Sequence, residues 1–306
     1  MNVSIIILNW NGIELLKECL PSVISAMRDY PEGYEIMVVD NASTDASVEY
    51  INLNFSGVRV LPMQENLGFA KALNIGIRDA KYPAVVCLNN DIIVENKFLG
   101  PLLRHLQKED VLAVGPKMLL INKKRLNFGR ATGSFKYGFF TRKITDSLHP
   151  VNSLYACAGG MVFKKDKFLE LGGFDEDMNV YWEDLDLCYR AWRRGWKTVY
   201  EPQSTIYHKF HATNIHKYGH GGIDFLSGRN YSLFVVKNIH DKLLFIKHLL
   251  FLPLLIIFSV VLGRGWFAFG VVNSFGKFGI FMPKRYTERN KPSLLSDRQI
   301  INISRQ

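Results

Sequence analysis

Five short, nearly unbroken apolar runs punctuate the first 114 residues of this chain: Val3 to Leu8, Ile36 to Val39, Val58 to Leu61, Ala84 to Leu88 and Val111 to Val114. A strand with one wet face alternates apolar and polar residues. An unbroken β-branched run instead implies burial on both faces, the condition of strands in a parallel sheet. Helical spacing fills the intervals. Leu16, Cys19, Leu20, Val23, Ile24 and Met27 form one apolar stripe, in which Pro21 predicts a kink or restart; Asn66 to Asn74 opens a second helix, and Lys97 to Lys108 reads as a third. Strand and helix in alternation predict an α/β fold, a doubly wound, mostly parallel twisted sheet flanked by helices. Ligands of such sheets bind at the carboxyl ends of the strands. Here those ends carry Asn9 and Asn11, Asp40, Asn66, and Asn89 and Asn90 with Asp91. The first turn lacks G-x-G-x-x-G, which argues against a nicotinamide or flavin enzyme.

Charge narrows the partners. Thirty-eight Lys plus Arg against 28 Asp plus Glu leave a net +10 over 306 residues, which favours anionic ligands such as nucleotide phosphates, lipid diphosphates or acidic headgroups. There is no recognisable nucleic-acid-binding motif, so nucleic acid is not expected as a partner. Cys19, Cys87, Cys157 and Cys188 show no paired spacing and sit among apolar neighbours, as buried thiols in a reducing compartment do. Asn2 to Leu8 has no basic leader and runs into Asn9-Trp10-Asn11-Gly12, so it reads as a strand and not a signal sequence, with the catalytic part cytoplasmic.

Beyond Asn122 the pattern breaks. Residues to Pro150 are basic, with Gly and aromatics but no clear period, and read as loops or an irregular sheet contributing to an acceptor site. Apolar character returns around Gly159-Gly160, and Gly172-Gly173-Phe174-Asp175 leads towards Tyr181-Trp182-Glu183-Asp184-Leu185-Asp186-Leu187-Cys188-Tyr189-Arg190. Leu185, Cys188, Tyr189 and Trp192 share one helical stripe, so this second stretch is an amphipathic helix with acids at its mouth, ending at Gly195. Asp186 and Arg190, four apart, are expected to pair along the exposed face. Glu183 and Asp184, in the first turn behind two aromatics, either complement the helix dipole or place a general base beside a substrate. Lys197 to Glu201 and Thr205 to His208 are two further short strands; His208 stands in a stretch that also holds His211, His216 and His220.

Leu243 to Phe281 is again different. Its longest run free of Lys, Arg, Asp and Glu, His248 to Gly263, has 16 residues, about 24 Å of helix against a hydrocarbon core of about 30 Å. Pro253 interrupts it, and Lys242, Lys247, Arg264, Lys277, Lys284 and Arg285 flank or punctuate it and the next uncharged stretch. Docking in an anionic membrane interface is expected ahead of a true span, the alternative being a hydrophobic hairpin packed on the globular domain.

Individually, these residues are ambiguous. Asp40 suits the imide N–H of a uracil or thymine base as well as it suits a turn. Asp91 suits a hard cation held with diphosphate oxygens and water; Mg²⁺ fits such a set, and Mn²⁺ fits if His208 adds an imidazole. In combination they are specific. Val38-Val39-Asp40-Asn41-Ala42-Ser43-Thr44-Asp45, Asn66-Leu67-Gly68-Phe69-Ala70, Leu88-Asn89-Asn90-Asp91, Gly172-Gly173-Phe174-Asp175 and Trp182 to Arg190, in this order, resemble the family 2 glycosyltransferases, and more narrowly the bacterial rhamnosyltransferase-like members that build cell-surface polysaccharide. The resemblance covers about Met1 to His211.

It implies a GT-A fold and an inverting, Mn²⁺- or Mg²⁺-dependent transfer of one sugar, such as the deoxyhexose rhamnose, from a dTDP-, UDP- or GDP-linked donor to a glycan or polyprenyl-diphosphate-linked acceptor. Asp184 would be the catalytic base with Glu183 beside it, and Asp91 and His208 would hold the metal. Asn9, Asn11, Asp40, Asn66, Lys71, Asn89 and Asn90 would line the nucleotide-sugar site. Asn89 departs from the family pattern by replacing the first carboxylate of an Asp-x-Asp metal motif. Residues 1–222 are then the GT-A domain, with a nucleotide-sugar half to about 121 and an acceptor half beyond. Residues 223–306 are a helical, membrane-associating segment that holds the enzyme on the cytoplasmic face of the inner membrane, peripheral or monotopic. A processive polysaccharide synthase is disfavoured because no Gln is followed three on by Arg-Trp. A non-catalytic sugar-binding scaffold is disfavoured by the joint presence of Asp40, Asp91 and Asp184.

Overall fold

The computed structural model describes residues 1–121, 125–209 and 213–306, the side chains of 213–217 excepted. In chain order the strands are β1 (Val3–Asn9), β2 (Tyr34–Asp40), β3 (Val58–Pro62), β4 (Ala84–Asn89), β5 (Ile92–Val94), β6 (Val111–Leu120), β7 (Arg125–Phe128), β8 (Arg130–Lys136), β9 (Phe139–Thr145), β10 (Val151–Asn152), β11 (Gly160–Lys164) and β12 (Lys197–His208). The helices are α1 (Ile13–Met27), α2 (Ser47–Asn54), α3 (Phe69–Asp79), α4 (Leu99–Leu106), α5 (Lys165–Glu170), α6 (Glu183–Arg193), α7 (Thr213–Asn238), α8 (Lys242–Val261), α9 (Gly265–Ser274), α10 (Phe278–Asn290) and α11 (Asp297–Ile303).

The main sheet runs β10-β12-β6-β11-β4-β1-β2-β3. β3, β2, β1 and β4 are parallel, as the apolar runs predict, and β11 enters antiparallel between β4 and β6. β12 then lies parallel to β6, so β1, β2, β4 and β12 all deliver their carboxyl ends to one edge. The antiparallel β11 begins at that same edge, with Gly160 opposite Leu88.

Both faces of the sheet are covered, and the two-residue period sorts the side chains. Ile5, Ile7, Ile36, Val38, Val86 and Leu88 pack with α1 and α4, while Ile6, Met37, Val39, Val85 and Cys87 pack with Ala70, Leu73 and Ile77 of α3. A third core joins Leu185, Cys188, Tyr189 and Trp192 of α6 to Tyr231 and Phe234 of α7 and onward to Leu252, Phe267, Phe281 and Ile300. Residues on both sides of position 222 therefore share one apolar interior.

Several local expectations need correcting. α1 runs through Pro21 as a single helix, because Pro21 is exposed and the carbonyl deprived of its amide is close to water. Lys197 to His208 is one strand, with its register broken between Glu201 and Thr205, and not two. Much of 125–145 is ordered strand: β7 extends the main sheet, and β8 pairs with β9 from Arg130↔Thr145 to Lys136↔Phe139. The largest correction concerns Asp186 and Arg190. They do pair, at 2.7 Å, but both are fully buried, and Asp186 also meets Lys237 at 2.8 Å and accepts from Asn238 at 2.8 Å.

Candidate active site

The strand ends open into a cleft of about 640 Å³. Asn89, Asn90, Asp91 and His208 line it, with Tyr181, Trp182, Glu183 and Asp184, and so do Asn41 and Asn66. Close backbone approach makes this possible. A Cβ on Gly159 would lie 2.5 Å from the Asn89 amide nitrogen, and one on Gly68, at φ +80°, only 2.2 Å from Asn179.

Of the residues expected to bind the nucleotide sugar, Asn66, Asn89 and Asn90 line the cleft. Asn9, Asn11, Asp40 and Lys71 do not line it. Asn9 is fully buried: its amide nitrogen donates to Asp40 Oδ2 at 3.0 Å and its amide oxygen accepts from Asn90 at 2.8 Å. Asp40 in turn accepts from the Ser43 amide at 2.9 Å and the Ser43 hydroxyl at 2.6 Å. Asn11 accepts from the Thr44 amide at 2.7 Å, and Lys71 points to solvent from α3. The first three thus tie the β1 and β2 loops together. Asn41, next to Asp40, accepts from the Leu67 amide at 2.8 Å and donates to the Gly68 carbonyl at 3.2 Å, which sets the Asn66–Gly68 turn.

His208 Nε2 lies 3.0 Å from Asp91 Oδ2, while its Nδ1 lies 3.0 Å from Asn127 Oδ1. An imidazole that donates Nδ1–H to that amide oxygen turns an Nε2 lone pair towards the carboxylate, and two acceptors then face each other unless a proton or a cation lies between them. The other oxygen, Asp91 Oδ1, is buried with no hydrogen-bond partner among the described residues. An orphaned carboxylate oxygen beside an imidazole fits a divalent cation. No third His, Cys, Asp or Glu joins the cluster among the described residues, so water and ligand oxygens would complete the shell. Of the neighbouring histidines, His220 lines the cleft, and His211 and the side chain of His216 lie outside the described residues.

The acidic wall is built on strained backbone. Asn179, Tyr181 and Trp182 have φ of 53°, 66° and 76°, in the left-handed region that costs non-glycine residues about 1–2 kcal/mol each. Asn230 on α7 restrains them, its amide donating to the carbonyls of Met178 (2.6 Å), Val180 (2.8 Å) and Tyr181 (2.8 Å). Glu183 is 5% exposed, and its Oε2 has no partner among the described residues. Burial, reinforced by the neighbouring Asp184 charge, pushes its pKa well up and favours the protonated carboxyl. Asp184 is half-buried and accepts from the Leu185 amide at 2.7 Å. Burial raises its pKa too, against the opposing pull of Arg142, leaving a carboxylate more basic than an exposed one. Arg142 went unnoticed in the sequence. It comes in from β9, donates to the Tyr155 hydroxyl at 3.0 Å and stacks 4.5 Å from the Trp182 ring centre.

Behind the acidic wall, Arg190 donates to the carbonyls of Leu171 (2.6 Å) and Gly173 (2.7 Å), fixing the glycine turn, and Lys237 bridges Asp186 and Asp175. Burial alone would raise the Asp186 pKa. Arg190, Lys237 and Asn238 outweigh it and hold the carboxyl far below the usual range.

Residues 4–172 match the family described as "Glycosyl transferase family 2". Among curated proteins the chain is 26% identical over 215 residues to "Polypeptide N-acetylgalactosaminyltransferase 4" of Caenorhabditis elegans, covering 64% of this chain and 36% of that one. It is 25% identical over 206 residues to "Poly-beta-1,6-N-acetyl-D-glucosamine synthase" of Staphylococcus aureus (strain COL), covering 63% and 46%. The chain thus spans between a third and a half of these relatives' lengths. Among solved structures, GalNAc-T7 with UDP, GalNAc and Mn²⁺ superposes with a TM-score of 0.62 at 21% identity over 79% of this chain and 48% of that one. A mannosyltransferase from Pyrobaculum calidifontis in complex with GDP-Man and Mn²⁺ gives 0.58 at 17% identity over 94% and 83%. These likenesses establish the fold.

Proposed function

The chain belongs to glycosyl transferase family 2, and on that premise we propose that it transfers a single sugar from a nucleoside diphosphate sugar, with inversion, to a lipid-linked or glycan acceptor. The observation that carries this is that one cleft is lined both by the Asp91–His208 pair and by the acids Glu183 and Asp184. That is the arrangement a one-step displacement needs, with stabilisation of the leaving group at one end and a base at the other.

Asp184 accepts the proton of the attacking acceptor hydroxyl. Its pKa, raised by burial, makes it a stronger base, and Arg142 limits that rise and favours the ionised form. The raised pKa of Glu183 disfavours a second negative charge beside Asp184. Asn66, Asn89 and Asn90 offer donors and acceptors to the nucleotide sugar. A divalent cation, Mn²⁺ or Mg²⁺, held by Asp91 and His208 would supply positive charge to the departing diphosphate. Trp182 and Tyr181 exclude water behind the acids.

The donor class is uridine, thymidine or guanosine diphosphate sugar, and a deoxyhexose such as rhamnose is the sugar we favour. We place the chain on the cytoplasmic face of the inner membrane; what supports membrane contact is Lys242–Val261, in which an 18-residue window has a mean hydropathy of 2.4 and whose 20 residues measure about 30 Å. One stripe of it, His248, Leu252 and Ser259, is buried against the domain, while Leu250, Ile257 and Val261 are more than half exposed. A helix packed on its own domain along one side suits an interface better than a free span.

The test is release of nucleoside diphosphate from UDP-, dTDP- and GDP-sugars with Mn²⁺ or Mg²⁺, comparing the full chain with Asp184→Asn and Asp91→Ala. Turnover of one donor that is lost in both variants supports the proposal. Absence of both turnover and donor binding refutes it.

A further inference from the structure

We propose that Arg142 recognises the acceptor of this site, and that it does so by receiving an anionic group, the diphosphate that joins a glycan to its lipid. The inference rests on the glycosyltransferase function proposed above and names what its acceptor must carry.

The β8–β9 hairpin connects the apolar helix to the acids. At its turn, Gly138 (φ +76°) presses against α8 so closely that a Cβ there would lie 2.5 Å from the Lys247 carbonyl, and the Gly138 carbonyl accepts from His248 Nδ1 at 2.9 Å. Phe139 meets Phe251 of α8 edge to face, with ring centres 6.4 Å apart. The Phe140 amide donates to the Tyr231 hydroxyl at 3.2 Å, and the Phe140 ring packs on Phe234. Two residues further on, on the same face of β9, Arg142 reaches the cleft. One short strand therefore has its start fixed to the helix with the exposed apolar face and its middle beside Trp182, the residue just before Glu183 and Asp184.

At the cleft, Arg142 makes no ion pair among the described residues. Its hydrogen-bond partner is the neutral Tyr155 hydroxyl and its stacking partner Trp182, and the charges of Asp184 and Glu183 act on it only through space. It keeps open surface towards the cleft. A guanidinium held by a phenol and an indole is oriented, and its remaining N–H donors are available to a phosphate, which it can bind through two parallel bonds. A neutral sugar hydroxyl makes no comparable use of a fixed charge. The position also matters: a lipid diphosphate reaching the cleft from the α8 side meets Arg142 before its sugar meets Asp184. The acceptor sugar deprotonated at Asp184 then lies within one or two units of the diphosphate, so the enzyme acts early on a short lipid-linked glycan, after the reaction that attaches the first sugar phosphate to the lipid.

The probes are farnesyl diphosphate and farnesol, which share a tail and differ in the anion. Their binding to the full chain in detergent is measured by calorimetry, in EDTA so that the Asp91–His208 pair cannot hold the diphosphate through a metal. Wild type is expected to prefer the diphosphate. Arg142→Gln is expected to reduce that preference about tenfold or more, and Arg142→Lys to retain part of it. Equal preference in wild type and both variants, or none in wild type, overturns the proposal. UDP, dTDP and GDP binding with Mn²⁺ is followed in parallel samples of the same protein preparations without EDTA. If none binds, the glycosyltransferase function fails, whereas loss of the diphosphate preference with nucleotide binding intact is a result about Arg142 alone.

Discussion

His208 Nε2 and Asp91 Oδ2 meet at 3.0 Å in the lining of the cleft, and the second Asp91 oxygen is buried without a partner among the described residues. Burying an acceptor without a hydrogen bond costs about 1–3 kcal/mol, so the site stores a demand that a cation relieves. Asp91→Ala should lower turnover at least about a hundredfold, since the charge stabilisation at stake amounts to several kcal/mol. His208→Ala should lower it less and raise the Mn²⁺ concentration needed. Mn²⁺ titration by calorimetry, with and without donor, measures both. Unchanged Mn²⁺ affinity in Asp91→Ala would place the metal elsewhere.

The pH profile tests the acidic pair. A base with a raised pKa gives a rate that climbs with pH through a limb above the usual carboxylate range, and here that base is Asp184. Because Arg142 holds the Asp184 pKa down, Arg142→Gln should move the limb to higher pH. A limb that stays in place in this variant would mean that another group is titrating.

Glu183 makes the complementary prediction for stability. Its pKa is higher folded than unfolded, so between the two values the folded state binds more protons and stability falls as pH rises through that window. Glu183→Gln should therefore flatten the dependence of thermal melting on pH and stabilise the chain on the alkaline side. For Asp186 the sign reverses. Its depressed pKa gives stability that is present above the unfolded value, near 4, and is lost as pH falls below it. Lys237→Met, which leaves buried Asp186 and Asp175 charges undercompensated, should cost about 3–5 kcal/mol in denaturant unfolding.

Asn230 restrains Met178, Val180 and Tyr181 while touching none of the reacting positions. It is a positioning residue: Asn230→Ala leaves three carbonyls short of a donor and frees the left-handed Tyr181–Trp182 backbone. kcat should fall while donor KM stays within about twofold, because Glu183 and Asp184 shift and the Asn66–Asp91 side does not. A change confined to KM would count against this role.

Which parts were legible in the sequence follows from range. β1, β2 and β4 are evident because burial on both faces writes itself into consecutive residues, and the acids of α6 are evident because a helix mouth is local. The i, i+4 rule identified Asp186–Arg190 as a pair but could not reveal its burial, since the covering groups, Lys237 and Asn238, come from α7, 51 and 52 residues away. Arg142 was hidden for the same reason: β9 has little periodicity, and its partners Tyr155 and Trp182 converge only in the fold. Asp40 stood out as a carboxylate at a strand end; the contacts its oxygens make with Asn9 and Ser43, and the place of the neighbouring Asn41 in the cleft lining, emerge only in the fold.

The exposed face of α8 yields the last prediction. Leu250, Ile257 and Val261 are 70%, 56% and 74% exposed, and Lys242, Lys247 and Arg264 stand at or near the ends of the helix. Each such side chain withdrawn from water contributes up to about 1.5–3 kcal/mol, and the basic residues add attraction to anionic headgroups. Full-length protein should therefore co-sediment with phosphatidylglycerol-containing vesicles better than with purely zwitterionic ones. The triple variant Leu250→Asp, Ile257→Asp and Val261→Asp should lower that binding at least about tenfold. Deleting the helix is the wrong test, since Leu252 belongs to the core that also holds Leu185 and Trp192, and its loss would disturb α6. The aspartates stand on the opposite side, so the melting temperature should hold within a few degrees. Undiminished vesicle binding by the triple variant would leave this face without a membrane role and move attention to the apolar surface of α9, where Trp266 and Phe269 are exposed.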